Sequence, residues 1–132
     1  MNTLVVDDSN VVRLVIRRAL AQLGLENVDE AGDGKQAIEL VESTHYHLVV
    51  VDWNMPEVNG IDVIRKIREM GNTCPIVMQT TNATKSDVME ALRAGATDYI
   101  LKPFTTEEMV DKLDDHMLHG VMMAELEKNN KT

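Results

Sequence analysis

The sequence predicts an α/β fold built on a parallel sheet, and three observations carry that prediction. Short apolar runs of strand length alternate with amphipathic stretches of helix length, five of each. The central run, His47 to Val51, is apolar almost throughout, as a strand buried on both faces must be. Helix-breaking glycines, Gly24, Gly71 and Gly95, close three of the amphipathic stretches.

The strand-length runs are Thr3–Val6, Leu48–Val51, Ile76–Met78 and Tyr99–Leu101, with a weaker one at Val28–Ala31. Between them, apolar residues recur at steps of three and four. Val12, Val15, Ala19 and Leu23 form the first stripe, Ile38 with Val41 the second, and Ile61, Ile64 and Ile67 the third. Val88, Ala91 and Leu92 give a fourth; Met109, Leu113 and Met117 give a fifth. Ser9, Thr84 and Thr105 stand where N-caps are needed. Strand–helix alternation of this kind implies right-handed crossovers and helices on both faces of the sheet. Five such units suggest a doubly wound, flavodoxin-like (βα)5 sheet of order 2-1-3-4-5, whose ligands bind beyond the carboxyl ends of the first and third strands.

The 132 residues suffice for one domain with a real core. A formal net charge of −9 repels phosphate backbones, so nucleic acid is excluded as a direct partner and a cation or basic protein surface is favoured. Cys74 is the single cysteine, which rules out an intrachain disulfide and points to a cytoplasmic location, with the thiol buried near a strand start. No run approaches the roughly 20 apolar residues of a membrane span, and Met1 to Asp8 does not read as a signal peptide.

Chemistry concentrates at the predicted carboxyl edge. The first strand runs into Asp7-Asp8 and the third into Asp52. Two carboxylates about 4 Å apart repel by roughly 4 kcal/mol at an effective dielectric near 20, so three call for a counter-charge. Mg²⁺, a hard ion that favours oxygen ligands and shares its shell with phosphate, answers that need. Thr80-Thr81 at the end of the fourth strand offers hydroxyl donors, and Lys102-Pro103 at the end of the fifth adds an ammonium. The set reads as a phosphoryl site with metal.

These residues resemble the receiver domain of bacterial response regulators. The motifs are Val5-Val6-Asp7-Asp8-Ser9, Val49-Val50-Val51-Asp52-Trp53-Asn54-Met55-Pro56, Thr80, and Tyr99-Ile100-Leu101-Lys102-Pro103-Phe104, with Gly60 and Gly95-Ala96. The resemblance covers about residues 3 to 117, and the stretch from Asp52 to Pro56 looks most like stand-alone chemotaxis regulators. It implies that Asp52 is the phosphoacceptor. It also implies Mg²⁺ ligation by Asp8 directly, Asp7 largely through water, Asp52, and the backbone carbonyl of Asn54. Thr80 is implied as switch hydroxyl, Lys102 as phosphoryl-binding lysine, Tyr99 as aromatic switch, and the peptide before Pro103 as cis. The implied donor is a histidine kinase or histidine phosphotransfer protein. The implied output is the face of the fourth helix, fifth strand and fifth helix, which meets a motor switch or other effector, or a second copy as a homodimer. Two positions depart from the family pattern. Thr81 stands where a smaller residue usually follows the switch hydroxyl, and Asn82 where chemotaxis regulators carry an acid.

Three other readings compete. A phosphatase of the haloacid dehalogenase type needs an Asp two residues after the nucleophile, where Asn54 stands. A dinucleotide or flavin module needs more than the lone Gly32-Asp33-Gly34, which reads as a turn. A phosphorylation-independent interaction domain has no use for the intact acid, hydroxyl and lysine set. His116 and His119 read as exposed helix polarity, and Arg13, Arg17 and Arg18 as a solvated basic stripe. The receiver is expected over residues 1–119. The tail, 120–132, either prolongs the fifth helix or frays.

Overall fold

A computed structural model describes residues 1–130, in which five strands and five helices alternate strictly. The elements are β1 (Thr3–Val6), α1 (Asn10–Gln22), β2 (Val28–Ala31), α2 (Gly34–Ser43), β3 (Leu48–Asp52), α3 (Gly60–Glu69), β4 (Ile76–Thr80), α4 (Lys85–Ala94), β5 (Asp98–Leu101) and α5 (Thr106–Asn130). The sheet order is β2-β1-β3-β4-β5 and every pairing is parallel. This is the doubly wound, flavodoxin-like arrangement expected.

The pleat explains the two cores. Leu4, Val6, Val49, Val51, Ile76 and Met78 point to one face, where Ala37 and Val41 of α2, Ile61, Ile64 and Ile67 of α3 and Ala91 of α4 cover them. The alternate positions Val5, Leu48, Val50, Val77 and Ile100 meet Ile16, Ala19 and Leu20 of α1 and Met109 and Leu113 of α5 on the other. A strand buried on both sides therefore has no polar alternation, which is why β3 is apolar up to Asp52.

Local signals hold the helix ends. The Ser9 and Thr84 hydroxyls accept from Val12 N at 3.3 Å and Asp87 N at 3.2 Å. Thr105 and Glu108 exchange reciprocal bonds of a capping box at the start of α5. Gly24, Gly71 and Gly95 all take positive φ just past helix ends, Gly95 at 117°. Cys74 is buried, and burial pushes its thiol up to about 11 against the opposing pull of Arg68.

Two expectations about surface groups, at Arg13 and His116, are corrected. Arg17 and Arg18 are exposed, but Arg13 is half-buried; its Nε lies 3.1 Å from Glu30 Oε1 of β2, and Arg17 Nη1 lies 3.0 Å from Oε2 of the same carboxylate. Arg13 also donates to the Asp7 carbonyl and to Asn10 Oδ1. His116 is half-buried, with Nε2 2.9 Å from Asp98 Oδ2, because α5 crosses the start of β5 there; His119 is exposed. Of the two alternatives for the tail, helix is the one observed: α5 continues to Asn130, and Lys131 and Thr132 lie outside the described residues. Gly120 lets the prolonged helix approach: a Cβ there would stand 2.8 Å from the His47 carbonyl oxygen. Among the described residues, no helix is long and apolar enough to cross a membrane.

Candidate functional site

Parallel register brings the acidic residues together. Val6 pairs with Val51, so Asp7 and Asp52 emerge side by side from the two central strands, at the crevice where the chain reverses direction across the sheet. Asp52 still belongs to β3, opposite Gln79 of β4. One carboxylate oxygen each from Asp7, Asp8 and Asp52 falls within 4.8 Å of the others. Asp7 is fully buried and Asp52 nearly so, whereas Asp8 faces solvent.

Each side chain is held. Asp7 Oδ1 accepts from Ser9 N at 2.8 Å, a bond that the turn into α1 supplies. Asp52 Oδ1 accepts from Asn54 N at 3.4 Å. The loop after Asp52 folds back so closely, with Gly60 N donating to the Trp53 carbonyl at 3.0 Å, that a Cβ on Gly60 would meet the Asp52 carbonyl oxygen at 2.3 Å. Only glycine fits there.

From β5, Lys102 reaches across the edge. Its Nζ donates to Asp7 Oδ2 at 2.9 Å and lies 3.3 Å from Asp52 Oδ1. The Lys102–Pro103 peptide is cis. Burial would lower the lysine's pKa, but the Asp7 hydrogen bond and the Asp52 and Asp7 charges outweigh it and raise it. Burial, reinforced by the Asp7 charge, raises Asp52 above the usual carboxylate value in spite of Lys102. One lysine therefore does not compensate the acids fully. The donor set, carboxylate oxygens with one solvent-facing member, fits a hard divalent cation.

Thr80 is buried at the end of β4, but its hydroxyl is engaged elsewhere: Oγ1 donates to the Asn82 carbonyl at 2.9 Å and accepts from Asn82 N at 3.1 Å. The Asn82 backbone as the partner of Thr80 was not legible in the sequence. Thr81 is exposed and lines an apolar cleft with Val11, Val12, Val15, Pro103 and Phe104, directly beside Lys102. Tyr99, on β5 opposite Met78, is half-buried with the Lys112 ammonium 5.9 Å from its ring centre. Asp7, Asp8, Asp52 and Lys102 thus share one site; Thr80 adjoins it with its hydroxyl turned to the next loop.

A doubly wound sheet with three acids and a lysine at its carboxyl edge is the arrangement expected of a receiver domain. Residues 3–114 match the response regulator receiver domain, and the chain belongs to that family. It is similar to the chemotaxis protein CheY1 of Helicobacter pylori, 42% identical over 117 residues that cover 86% of this chain and 94% of the relative. The chemotaxis protein CheY homolog of Campylobacter jejuni is 41% identical, with 87% and 91% covered. Among solved structures, chemotaxis protein CheY4 of Vibrio cholerae superposes with a TM-score of 0.80 at 29% identity, covering 87% of this chain and 97% of that one.

Proposed function

We propose that this chain accepts a phosphoryl group on Asp52 from a histidine kinase or histidine phosphotransfer protein and passes the signal on through its α4–β5–α5 face. The observation that carries the reading is Lys102 Nζ, held 2.9 Å from Asp7 and 3.3 Å from Asp52 at the carboxyl edge of the sheet.

In this reading, an Asp52 oxygen attacks the donor's phosphorus in line, the P–N bond to the donor imidazole breaks, and an acyl phosphate forms. Transfer needs charge neutralisation more than proton movement. Lys102 supplies part of it by leaving its bond to Asp7 for a phosphoryl oxygen. Asp7, Asp8, Asp52 and the Asn54 carbonyl would hold Mg²⁺, which when bound neutralises phosphoryl charge. Thr80 turns from Asn82 to a phosphoryl oxygen, and Tyr99 moves into the space released. Thr81 narrows the donor's path beside Lys102. Asn54, two residues after the acceptor, has no proton to shuttle, so the acyl phosphate persists as a signal. Likeness to chemotaxis proteins points to a chemotactic output, with a motor switch as effector, and to action in the cytoplasm.

Acetyl phosphate with Mg²⁺ tests this. Intact-mass measurement should find one phosphate per chain, absent in Asp52→Asn. Trp53 fluorescence should change in the unsubstituted protein alone. Full stoichiometric labelling of the Asp52→Asn protein would remove Asp52 as acceptor.

A further inference from the structure

A second group of potential metal-ligating side chains lies at the amino end of the sheet, at the opposite edge from Asp52. His45 and His47 stand two apart at the entry to β3. Tyr46 between them turns into the core, where its hydroxyl donates to Asp29 Oδ2 at 2.7 Å. The prolonged α5 brings Glu127 to both rings: His45 Nε2 lies 2.5 Å from Oε1 and His47 Nε2 lies 2.7 Å from Oε2. The rings meet edge to face with centroids 5.1 Å apart. One ligand atom of each residue falls within 4.8 Å of the others. A cavity of about 130 Å³ opens on the cluster, lined also by Asn72, Cys74 and Met123. Gly120 seats the helix against the His47 carbonyl, so Glu127 is carried here by the backbone.

We propose that His45, His47 and Glu127 form a site for a divalent transition metal, with Zn²⁺ the ion its donors suit best. Two imidazole nitrogens and a carboxylate oxygen match Zn²⁺, whereas Mg²⁺ and Ca²⁺ prefer all-oxygen shells. Three protein ligands leave a fourth tetrahedral position for water, and the cavity has room for it. Zn–ligand bonds of about 2.0–2.1 Å place tetrahedral donor atoms roughly 3.3 Å apart, so the carboxylate backs away by several tenths of an ångström to admit the ion. The Glu127 and His45 side chains are 35% and 52% exposed, free enough to make that movement.

His47 carries a signature of loading. Asn2 N donates to its Nδ1 at 3.0 Å, so the neutral ring holds its proton on Nε2, facing Glu127. Zn²⁺ takes the Nε2 lone pair, the ring proton moves to Nδ1, and the Asn2 amide loses its acceptor. The exchange weakens binding relative to a preformed site, and it makes occupancy visible. A bound ion also ties α5 to the start of β3.

The full chain should be titrated with Co²⁺ and Zn²⁺ in millimolar Mg²⁺, which supplies the Asp52 edge with a harder ion. One equivalent should bind, with the visible absorption of four-coordinate Co²⁺. His45→Ala and Glu127→Gln should each weaken binding at least about tenfold, and His119→Ala should leave it unchanged. Both weakened variants alter surface side chains, and thermal melting by circular dichroism checks their fold. Nitrogen-15 NMR should show His47 changing from the Nε2–H to the Nδ1–H tautomer on Zn²⁺ addition. Equal affinity in His45→Ala, Glu127→Gln and the unsubstituted chain overturns the proposal. So does the absence of saturable uptake, or uptake abolished by His119→Ala alone.

Discussion

Removing the Lys102 ammonium tests the electrostatic reading of the site most directly. Lys102→Met keeps the apolar stem and volume but leaves Asp7 and Asp52 facing each other. Their side chains are 0% and 5% exposed and that of the lysine 18%, so solvent screens the trio poorly. At an effective dielectric near 20, contacts of 2.9 and 3.3 Å are worth about 6 and 5 kcal/mol gross. Most of that is offset by desolvation of the ammonium. Breaking a buried pair costs about 3–5 kcal/mol, and because the lysine keeps some contact with water we expect about 3 kcal/mol. Urea denaturation with a chelator present measures it.

The same experiment in millimolar Mg²⁺ sharpens the argument. A cation held among the acids would take over part of what Lys102 does, so the penalty should shrink by at least about 1 kcal/mol, the non-additivity of two groups serving one charge cluster. A penalty below about 1 kcal/mol with chelator would refute the burial argument, since exposed pairs give that little. An equal penalty with and without Mg²⁺ would refute the shared role of lysine and metal.

Asp52→Asn has a pH signature. Because the folded pKa of Asp52 is raised above the ordinary 3.8, the folded chain binds its proton more tightly than the unfolded chain. The stability this confers is complete below 3.8 and is lost as pH rises through the folded value. Without Mg²⁺, Asp52→Asn should therefore be the more stable protein at neutral pH and lose that advantage in acid; equal stability throughout contradicts the assignment. Gly60→Ala puts a Cβ 2.3 Å from the Asp52 carbonyl oxygen and should cost about 2–3 kcal/mol while slowing phosphate incorporation, both read on one preparation. Gln79 is fully buried, and among the described residues neither of its side-chain polar atoms finds a hydrogen-bond partner, so Gln79→Met should raise stability by about 1–2 kcal/mol, measured as a higher urea midpoint.

What the sequence made legible follows from range. β1 and β2 begin and end where their apolar runs do, at Thr3–Val6 and Val28–Ala31. β3 and β4 run on to Asp52 and Thr80, because ladder pairing continues past the last apolar residue and a polar Gln79 inside a strand gives no outward sign. The acids, Thr80 and Lys102 were readable because topology alone brings strand ends to one edge. The partners of Thr80, Arg13 and His116 were not, since side-chain direction decides them. The hold on the tail was hidden for a further reason. His45 and His47 sit at the spacing of a ligand pair, but Glu127 lies 82 and 80 residues away, on a helix that Gly120 seats against the His47 carbonyl.

Thr80 joins the acidic edge to the outer surface. Its hydroxyl closes the turn at Asn82, which leads directly to the Thr84 cap of α4, and its carbonyl accepts from Lys102 N at 2.8 Å. On the proposed reading, a phosphoryl oxygen on Asp52 competes with the Asn82 carbonyl for the Thr80 proton, and an ionised acceptor binds roughly twice as strongly as a neutral one. With net hydrogen bonds worth about 1 kcal/mol, that exchange biases the loop by a factor of roughly 5. Moving an equilibrium from 1:99 to 99:1 takes about 5.5 kcal/mol. Thr80 alone therefore cannot carry the switch. The remainder would come from the charges at the acidic edge, chiefly Lys102, whose contacts of 2.9 and 3.3 Å to two buried acids would be redistributed if one acid were esterified. On this reading the switch would be electrostatic in magnitude and steric in direction: Lys102, with Mg²⁺ where bound, would set how far it moves, and Thr80 would set which loop moves.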